Sequence, residues 1–337
     1  MTAQAGKKQS MDANPLDRLA DLLDGDMNAV NAEILRRMDS PVALIPQLAS
    51  YLIAAGGKRI RPLMTLAATS IYGGDMKRAH GLATSVEFIH TATLLHDDVV
   101  DESVQRRGKD SANIVFGNQA SVLVGDFLFS RAFQLMVDDG SLDVLKILSD
   151  ASAIIAQGEV MQLSTTNNVA TTMGEYLEVI RAKTAALFAA ACEVGPVVAG
   201  AEGSAATAMA EYGLNLGIAF QITDDALDYS GTQGKIGKTP GDDFREGKMT
   251  APVIIALMKA DEDERKFWQR TLGEKDQQDS DFAQAQKILK THDALSQSLA
   301  LARDYGDKAR LALAEAPDHP LRALLDELIP YTIERES

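Results

Sequence analysis

Cysteine is almost absent from this chain. Cys192 is the only one in 337 residues, so no intramolecular disulfide can form and a disulfide-scaffolded fold is excluded. Aromatic residues are scarce, at 5 %. No long apolar run stands out either. The most apolar stretch, Ala185 to Ala201, is broken by Glu193, Gly195 and Pro196, and it falls short of the roughly 20 residues of a bilayer-spanning helix. Lys7 and Lys8 are not followed by an apolar segment, which argues against a secretory leader. The expectation is a soluble, cytoplasmic protein without an integral membrane segment. Positive charge is also in deficit: 33 Lys and Arg against 48 Asp and Glu leave a net charge of −15. That balance argues against nucleic acid or anionic lipid as a general partner, since both are polyanions. An anionic substrate would therefore need local clusters of cations.

Proline is missing between Pro62 and Pro196, an interval rich in Ala, Leu, Val, Ile and Met. Proline-free runs of good helix formers favour long helices. Apolar residues recur at helical spacing, as in Leu123, Phe127, Phe129, Phe133 and Met136, and alternating strand patterns are weak. Phe129, Phe133 and Met136 read as core. The sequence predicts an all-α protein of about ten helices joined by short loops. Residues 1–14 are polar and read as a disordered tail, residues 15–337 as one domain. Residues 273–281 read as an exposed loop, and the glycine-rich stretch 231–247 as a flexible charged segment.

Two acidic patterns stand out. In HTATLLHDDVVDES, His90 to Ser103, Asp97 and Asp101 are four apart and share a helix face, with Asp98 beside them. His90 lies two turns before Asp97. In AFQITDDALDYSG, Ala219 to Gly231, Asp224 and Asp228 repeat the spacing, with Asp225 between and Gln221 three residues ahead. Apolar neighbours (Leu94, Leu95, Val99; Phe220, Ile222, Leu227) imply largely buried helices. Like-charged carboxylates are costly to bury unless something neutralises them. An all-oxygen set suits Mg²⁺, which takes the rest of its shell from water and substrate phosphates. Two such patterns, 127 residues apart, point to a shared metal cage and a phosphate ester or diphosphate substrate. The basic residues agree: Lys58, Arg59 and Arg61 in GGKRIRP, Arg106 and Arg107 after the first pattern, Lys183 with Thr184, and Lys238 and Lys248 around the glycine-rich stretch. Guanidinium forks match phosphate oxygens in pairs, whereas an ammonium acts as a point charge.

Together, GGKRIRP, LLHDDVVDESVQRRG, the Lys-Thr pair, FQITDDALDYSG and KTPGDDFREGKMTAP resemble the trans-polyprenyl diphosphate synthases. The resemblance is closest to the bacterial long-chain octaprenyl and decaprenyl enzymes of ubiquinone side-chain synthesis, and runs from about residue 15 to the C-terminus. It implies a single-domain isoprenoid synthase (prenyltransferase) fold, a helical bundle around a deep central cavity, usually a homodimer. It implies that isopentenyl diphosphate is condensed onto an allylic diphosphate primer after Mg²⁺-assisted ionisation. By the same resemblance Asp97 and Asp101, supported by Asp98, hold Mg²⁺ on the allylic diphosphate, and Asp224 does so from the opposite wall with Asp225 and Asp228 nearby. Arg106, Lys183, Thr184, Gln221, Lys238 and Lys248 contact the allylic substrate, while Lys58, Arg61, His90 and Arg107 hold isopentenyl diphosphate.

Thr93, one turn before Asp97, and the adjoining Ala92 are small, which suits either close helix packing or an open shaft. The family resemblance implies the open shaft and a long product, so Ala92→Phe or Ala92→Tyr is expected to shorten it. Release of so apolar a product implies transient membrane contact. The rival readings are a shorter-chain geranylgeranyl-type synthase, a non-catalytic regulatory subunit and a terpene cyclase. A regulatory subunit is expected to have lost aspartates, and a cyclase usually lacks the second DDxxD and the basic GKRxRP set. Both acidic patterns are complete here.

Overall fold

The computed structural model describes residues 13–54, 57–106, 108–231 and 240–335. Arg107, Lys238, residues 1–12 of the predicted tail and residues 232–239 of the glycine-rich stretch lie outside the described residues.

In chain order the helices are α1 (Pro15–Leu22), α2 (Asp24–Arg37), α3 (Leu44–Ala54), α4 (Ile60–Ile71) and α5 (Met76–Val100). A two-residue antiparallel ribbon follows, β1 (Gln105–Arg106) with β2 (Lys109–Asp110). Then come α6 (Ala112–Phe116), α7 (Asn118–Asp139), α8 (Leu142–Thr165), α9 (Met173–Ile180), a π-helical turn at Arg181–Ala185, and α10 (Ala186–Val198). The chain continues with α11 (Gly203–Asp228), α12 (Asp242–Glu246), α13 (Ala251–Lys259), α14 (Glu262–Trp268), a second π turn at Gln269–Gly273, α15 (Asp281–Thr291), α16 (Ala294–Leu313) and α17 (Pro320–Glu334). The all-α class holds. About ten helices were expected from the pattern; seventeen form among the described residues, because short helices too brief to show a period sit between the long ones.

Local chemistry sets the boundaries. The Asn14 side chain accepts from Asp17 N–H with Pro15 in the first turn, and the Asp75 and Ser141 side chains cap α5 and α8. Thr172 with Glu175, and Asp261 with Glu264, form reciprocal capping boxes. The 273–281 segment is less free than expected: Asp281 is buried, begins α15 and receives both Arg270 guanidinium nitrogens at 2.8 and 2.9 Å.

The centre of the bundle is α5, α10 and α11, wrapped by α4, α7, α8 and α16. Gly213 and Gly217 let α11 lie directly on α10. A Cβ at Gly213 would stand 2.3 Å from the Phe188 carbonyl, and one at Gly217 2.7 Å from the Ala185 Cα, so larger residues there would push the helices apart. The apolar stretch from Ala185 is core, as its buried residues from Ala186 to Val198 attest. Among the described residues the helix long and apolar enough to cross a bilayer, by length and composition, is instead α7. Its inner side packs on α5 through Val124, Leu128, Ala132 and Met136. Phe133 departs from the expected core: it is 43 % exposed, whereas Met136 is buried and Phe129 is partly buried against the core.

Candidate active site

A cavity of about 980 Å³ opens between the C-terminal ends of α5 and α11. Its lining includes Lys58, Arg61, His90, Thr93, Asp97, Asp101, Arg106, Lys183, Thr184, Gln221, Asp224, Asp225 and Lys248. Residues scattered over 190 positions of sequence therefore meet in one space.

On the α5 wall each aspartate faces a cation from elsewhere. Asp97 Oδ2 lies 3.3 Å from Lys183 Nζ. Asp98 is nearly inaccessible and is gripped by Arg106, whose Nε and Nη2 donate to its carboxylate at 2.6 to 3.0 Å. The ribbon β1–β2, not a continuation of α5, turns Arg106 back towards the helix. Asp101, at the end of α5, accepts from Lys248 Nζ at 3.2 Å. Although burial works against it, Asp243, Asp101 and Glu246 around Lys248 hold its ammonium charged well beyond the ordinary range.

Lys183 and Thr184 owe their position to the π turn, a widening of the helix that is common at functional sites. Gly158 on α8 lets that turn come close, since a Cβ there would meet Lys183 N at 2.7 Å. The next residue, Glu159, receives a hydrogen bond from Lys183 Nζ at 2.7 Å. Burial first, and then the nearby Asp97 charge, push the Glu159 carboxyl up to about 7.

The α11 wall is built differently. Asp225 is fully enclosed: the Tyr176 hydroxyl donates to one oxygen at 2.6 Å and the Gln221 amide to the other at 2.7 Å. The Thr184 hydroxyl completes the chain by donating to Gln221 Oε1 at 2.9 Å. Burial and the neighbouring Asp243 raise the Asp225 pKa well above the usual carboxylate range. Asp228 does not line the cavity; its carboxylate accepts the Asp243 N–H at 3.1 Å and its carbonyl accepts the Gly241 N–H, which pins the chain entering α12. Asp224 faces the cavity, where Arg335 Nη2 approaches it at 3.2 Å.

Below these walls Lys58 Nζ lies 5.9 Å from the Tyr331 ring centre, and the Arg61 guanidinium lies 4.3 Å from that of Phe188. Arg61 Nη1 is 3.3 Å from His90 Nε2. Thr93 lines the cavity, whereas Ala92 is fully buried beside it and lines neither this cavity nor the small side cavity next to it. Glu159, Tyr176, Asp243, Tyr331 and Arg335 were not singled out from the sequence. Glu159 could have been noticed as a charge interrupting the apolar rhythm of α8. Arg335, at the end of the chain, belongs to no pattern.

Among the described residues no group of three His, Cys, Asp or Glu side chains could hold a metal ion unaided. Asp97, Asp101 and Asp224 nevertheless offer oxygen donors from two sides of one cavity. That donor set fits a hard divalent cation completing its shell with water and substrate oxygens.

The polyprenyl synthetase family model matches residues 42–289. Octaprenyl diphosphate synthase of Escherichia coli (strain K12) is 41 % identical over 324 residues, covering 95 % of this chain and 99 % of that protein. The crystal structure of a decaprenyl diphosphate synthase from Rhodobacter capsulatus matches with a TM-score of 0.91 at 54 % identity, over 96 % of this chain and 100 % of that one. A polyprenyl synthase from Caulobacter crescentus CB15, crystallised with calcium and isoprenyl diphosphate, gives 0.93 at 50 % identity, over 97 % and 100 %. The helical bundle is thus the all-α isoprenoid synthase fold, the resemblance drawn from the motifs holds, and the chain belongs to the polyprenyl synthetase family of prenyltransferases.

Proposed function

We propose that the chain condenses isopentenyl diphosphate onto an allylic diphosphate, repeatedly, to make a long all-trans polyprenyl diphosphate of octaprenyl or decaprenyl size, a ubiquinone side-chain precursor. The observation that carries this reading is the facing of two aspartate-bearing helices across one cavity, with Lys58, Arg61, Arg106, Lys183, Lys248 and Arg335 around its walls. Asp97, Asp101 and Asp224 would hold Mg²⁺ on the allylic diphosphate, while Asp98, Asp225 and Asp228 keep the two walls in shape. Bound Mg²⁺ supplies positive charge that neutralises the diphosphate.

The chain's own residues then perform the rest. Lys183 and Lys248 lie within 3.3 and 3.2 Å of Asp97 and Asp101. They are near enough to turn to the diphosphate oxygens as the bond to the allylic carbon breaks and negative charge collects there. Thr184 and Gln221, fixed by their mutual hydrogen bond, orient the same group. Lys58, Arg61 and His90 would hold the second diphosphate so that the double bond of isopentenyl diphosphate faces the allylic cation. Arg107 and Lys238 belong to the two basic sets by motif alone. After carbon–carbon bond formation a proton leaves, and the departing pyrophosphate accepts it. Phe188, Phe220, Val179, Ile180 and Leu94 line the chamber and keep water from the cation.

The small side chain of Thr93, which lines the cavity where Ala92 does not, supports a long product, and a Thr93→Phe protein is expected to release a shorter one by chromatography. The outer faces of α7 and α8 leave Leu123, Val137, Val160 and Leu163 each more than 60 % exposed. Apolar surface on that scale supports a homodimer. The lone, buried Cys192 is in keeping with a reducing compartment such as the cytoplasm, with brief membrane contact when product leaves.

The test is incubation with labelled isopentenyl diphosphate, an allylic diphosphate and Mg²⁺. Chain elongation that stops with chelator is expected. Elongation that persists without metal, or a product of only a few isoprene units, would overturn the reading.

A further inference from the structure

Arg59 lies between two residues assigned to isopentenyl diphosphate, yet it is used otherwise. Its backbone stands at φ 48° and ψ 33°, the left-handed region, at the N-cap of α4. A non-glycine residue pays for that conformation and keeps it only when its surroundings dictate it. What dictates it is visible across the cavity floor. Arg59 Nη1 donates to Glu87 Oε1 at 2.5 Å, and both side chains are largely buried, at 21 % and 12 % exposure. Glu87 sits on α5 one turn before His90, so the pair joins the start of α4 to the face of α5 that carries His90.

We propose that Arg59 and Glu87 are a positioning pair that aims Lys58 and Arg61 at the diphosphate of the non-allylic substrate. Three details of the geometry support it. Lys58 and Arg61 flank Arg59, so anchoring that one guanidinium fixes the exit directions of both neighbours. Lys58, Arg61 and Arg335 line the same cavity, and like charges in one partly buried space repel. Glu87 lines that cavity from α5, and its charge is matched by Arg59. With its charge so matched, Glu87 does not compete with an incoming anion for the cations beside it.

The proposal rests on the reading that Lys58 and Arg61 bind isopentenyl diphosphate, so the experiment separates the two. Steady-state rates are measured with each substrate varied in turn, alongside thermal melting. Lys58→Ala and Arg61→Ala test the underlying reading, and each is expected to raise the KM for isopentenyl diphosphate. Glu87→Gln keeps the shape and removes the charge. It is expected to raise that same KM about tenfold while kcat and the KM for the allylic primer stay within about twofold. Arg59→Lys, which retains charge without the planar fork, should fall between wild type and Glu87→Gln. The Arg59→Ala, Glu87→Gln double variant should be no worse than the poorer single one, because the two act as a unit.

If Lys58→Ala and Arg61→Ala leave the KM unmoved, the substrate reading fails and the pair's role falls with it. If they raise it and Glu87→Gln does not, or Glu87→Gln lowers it by removing a negative charge, the positioning role alone is overturned. A lowered melting temperature with both KM values and kcat moving together marks a merely structural pair, and also overturns it.

Discussion

The two acidic walls are spelled alike and work differently. On α5 the three aspartates each face a cation brought from another segment: Lys183 for Asp97, Arg106 for Asp98, Lys248 for Asp101. On α11 Asp224 meets Arg335 in an ion pair, while Asp225 is held by the neutral donors of Tyr176 and Gln221 and the Asp228 carboxylate accepts a backbone N–H. A DDxxD spacing guarantees a shared helix face and nothing more. Which oxygen meets the cavity, and in which charge state, depends on what the opposing helices place against it.

The sharpest way to break this comparison is a matched pair of substitutions. Asp97→Asn removes a carboxylate at the cavity and should cut kcat by about a hundredfold or more, the scale on which single charge-stabilising groups act. Asp225→Asn should cost far less, since an amide can still meet Tyr176 and Gln221; equal losses in the elongation assay would erase the distinction between the walls. Next in size is the effect of deleting the enclosed group. Asp225→Ala leaves the Tyr176 hydroxyl and the Gln221 amide without partners and should destabilise the fold by about 1–3 kcal/mol in denaturant unfolding.

A pH measurement sharpens the α5 side. The Glu159 carboxyl is raised to about 7 in the folded chain, by burial and then by Asp97, from an ordinary 4.5. A raised carboxyl favours folding only while it is protonated in both states. Its contribution is therefore fully present below about pH 4.5 and lost as pH rises through about 7. In metal-free buffer Glu159→Gln should melt higher than wild type above pH 7 and alike near pH 4, by calorimetry. The smallest expected effect is at Asp228, where Asn still accepts the Asp243 N–H. Asp228→Asn should shift stability by under about 1 kcal/mol, and a larger change would mean that its charge, not its acceptor, holds the entry to α12.

Much of this was legible in the linear chain. Long helices follow from proline-free apolar rhythm, and the faces of α5 and α11 from spacing of three and four. The meeting of Lys58, Arg61, His90, Arg106, Lys183, Thr184, Gln221 and Lys248 in one cavity is what the motifs and the family likeness imply. Arg106 follows the first acidic pattern along the chain, but a two-residue ribbon turns it back onto Asp98. The π turn at Arg181–Ala185 has no sequence signature, because it is set by the close approach of α8 at Gly158.

The sequence by itself determined the class of fold, the residue types needed for a diphosphate and the helix faces that carry them, since these rest on local periodicity and charge. Only the tertiary structure decided how each carboxylate is employed. Asp225 and Asp98 are enclosed by groups 49 and 8 residues away, and Asp224 meets an arginine 111 residues on. Burial and partner charge are properties of packed neighbours, and no spacing along the chain encodes them.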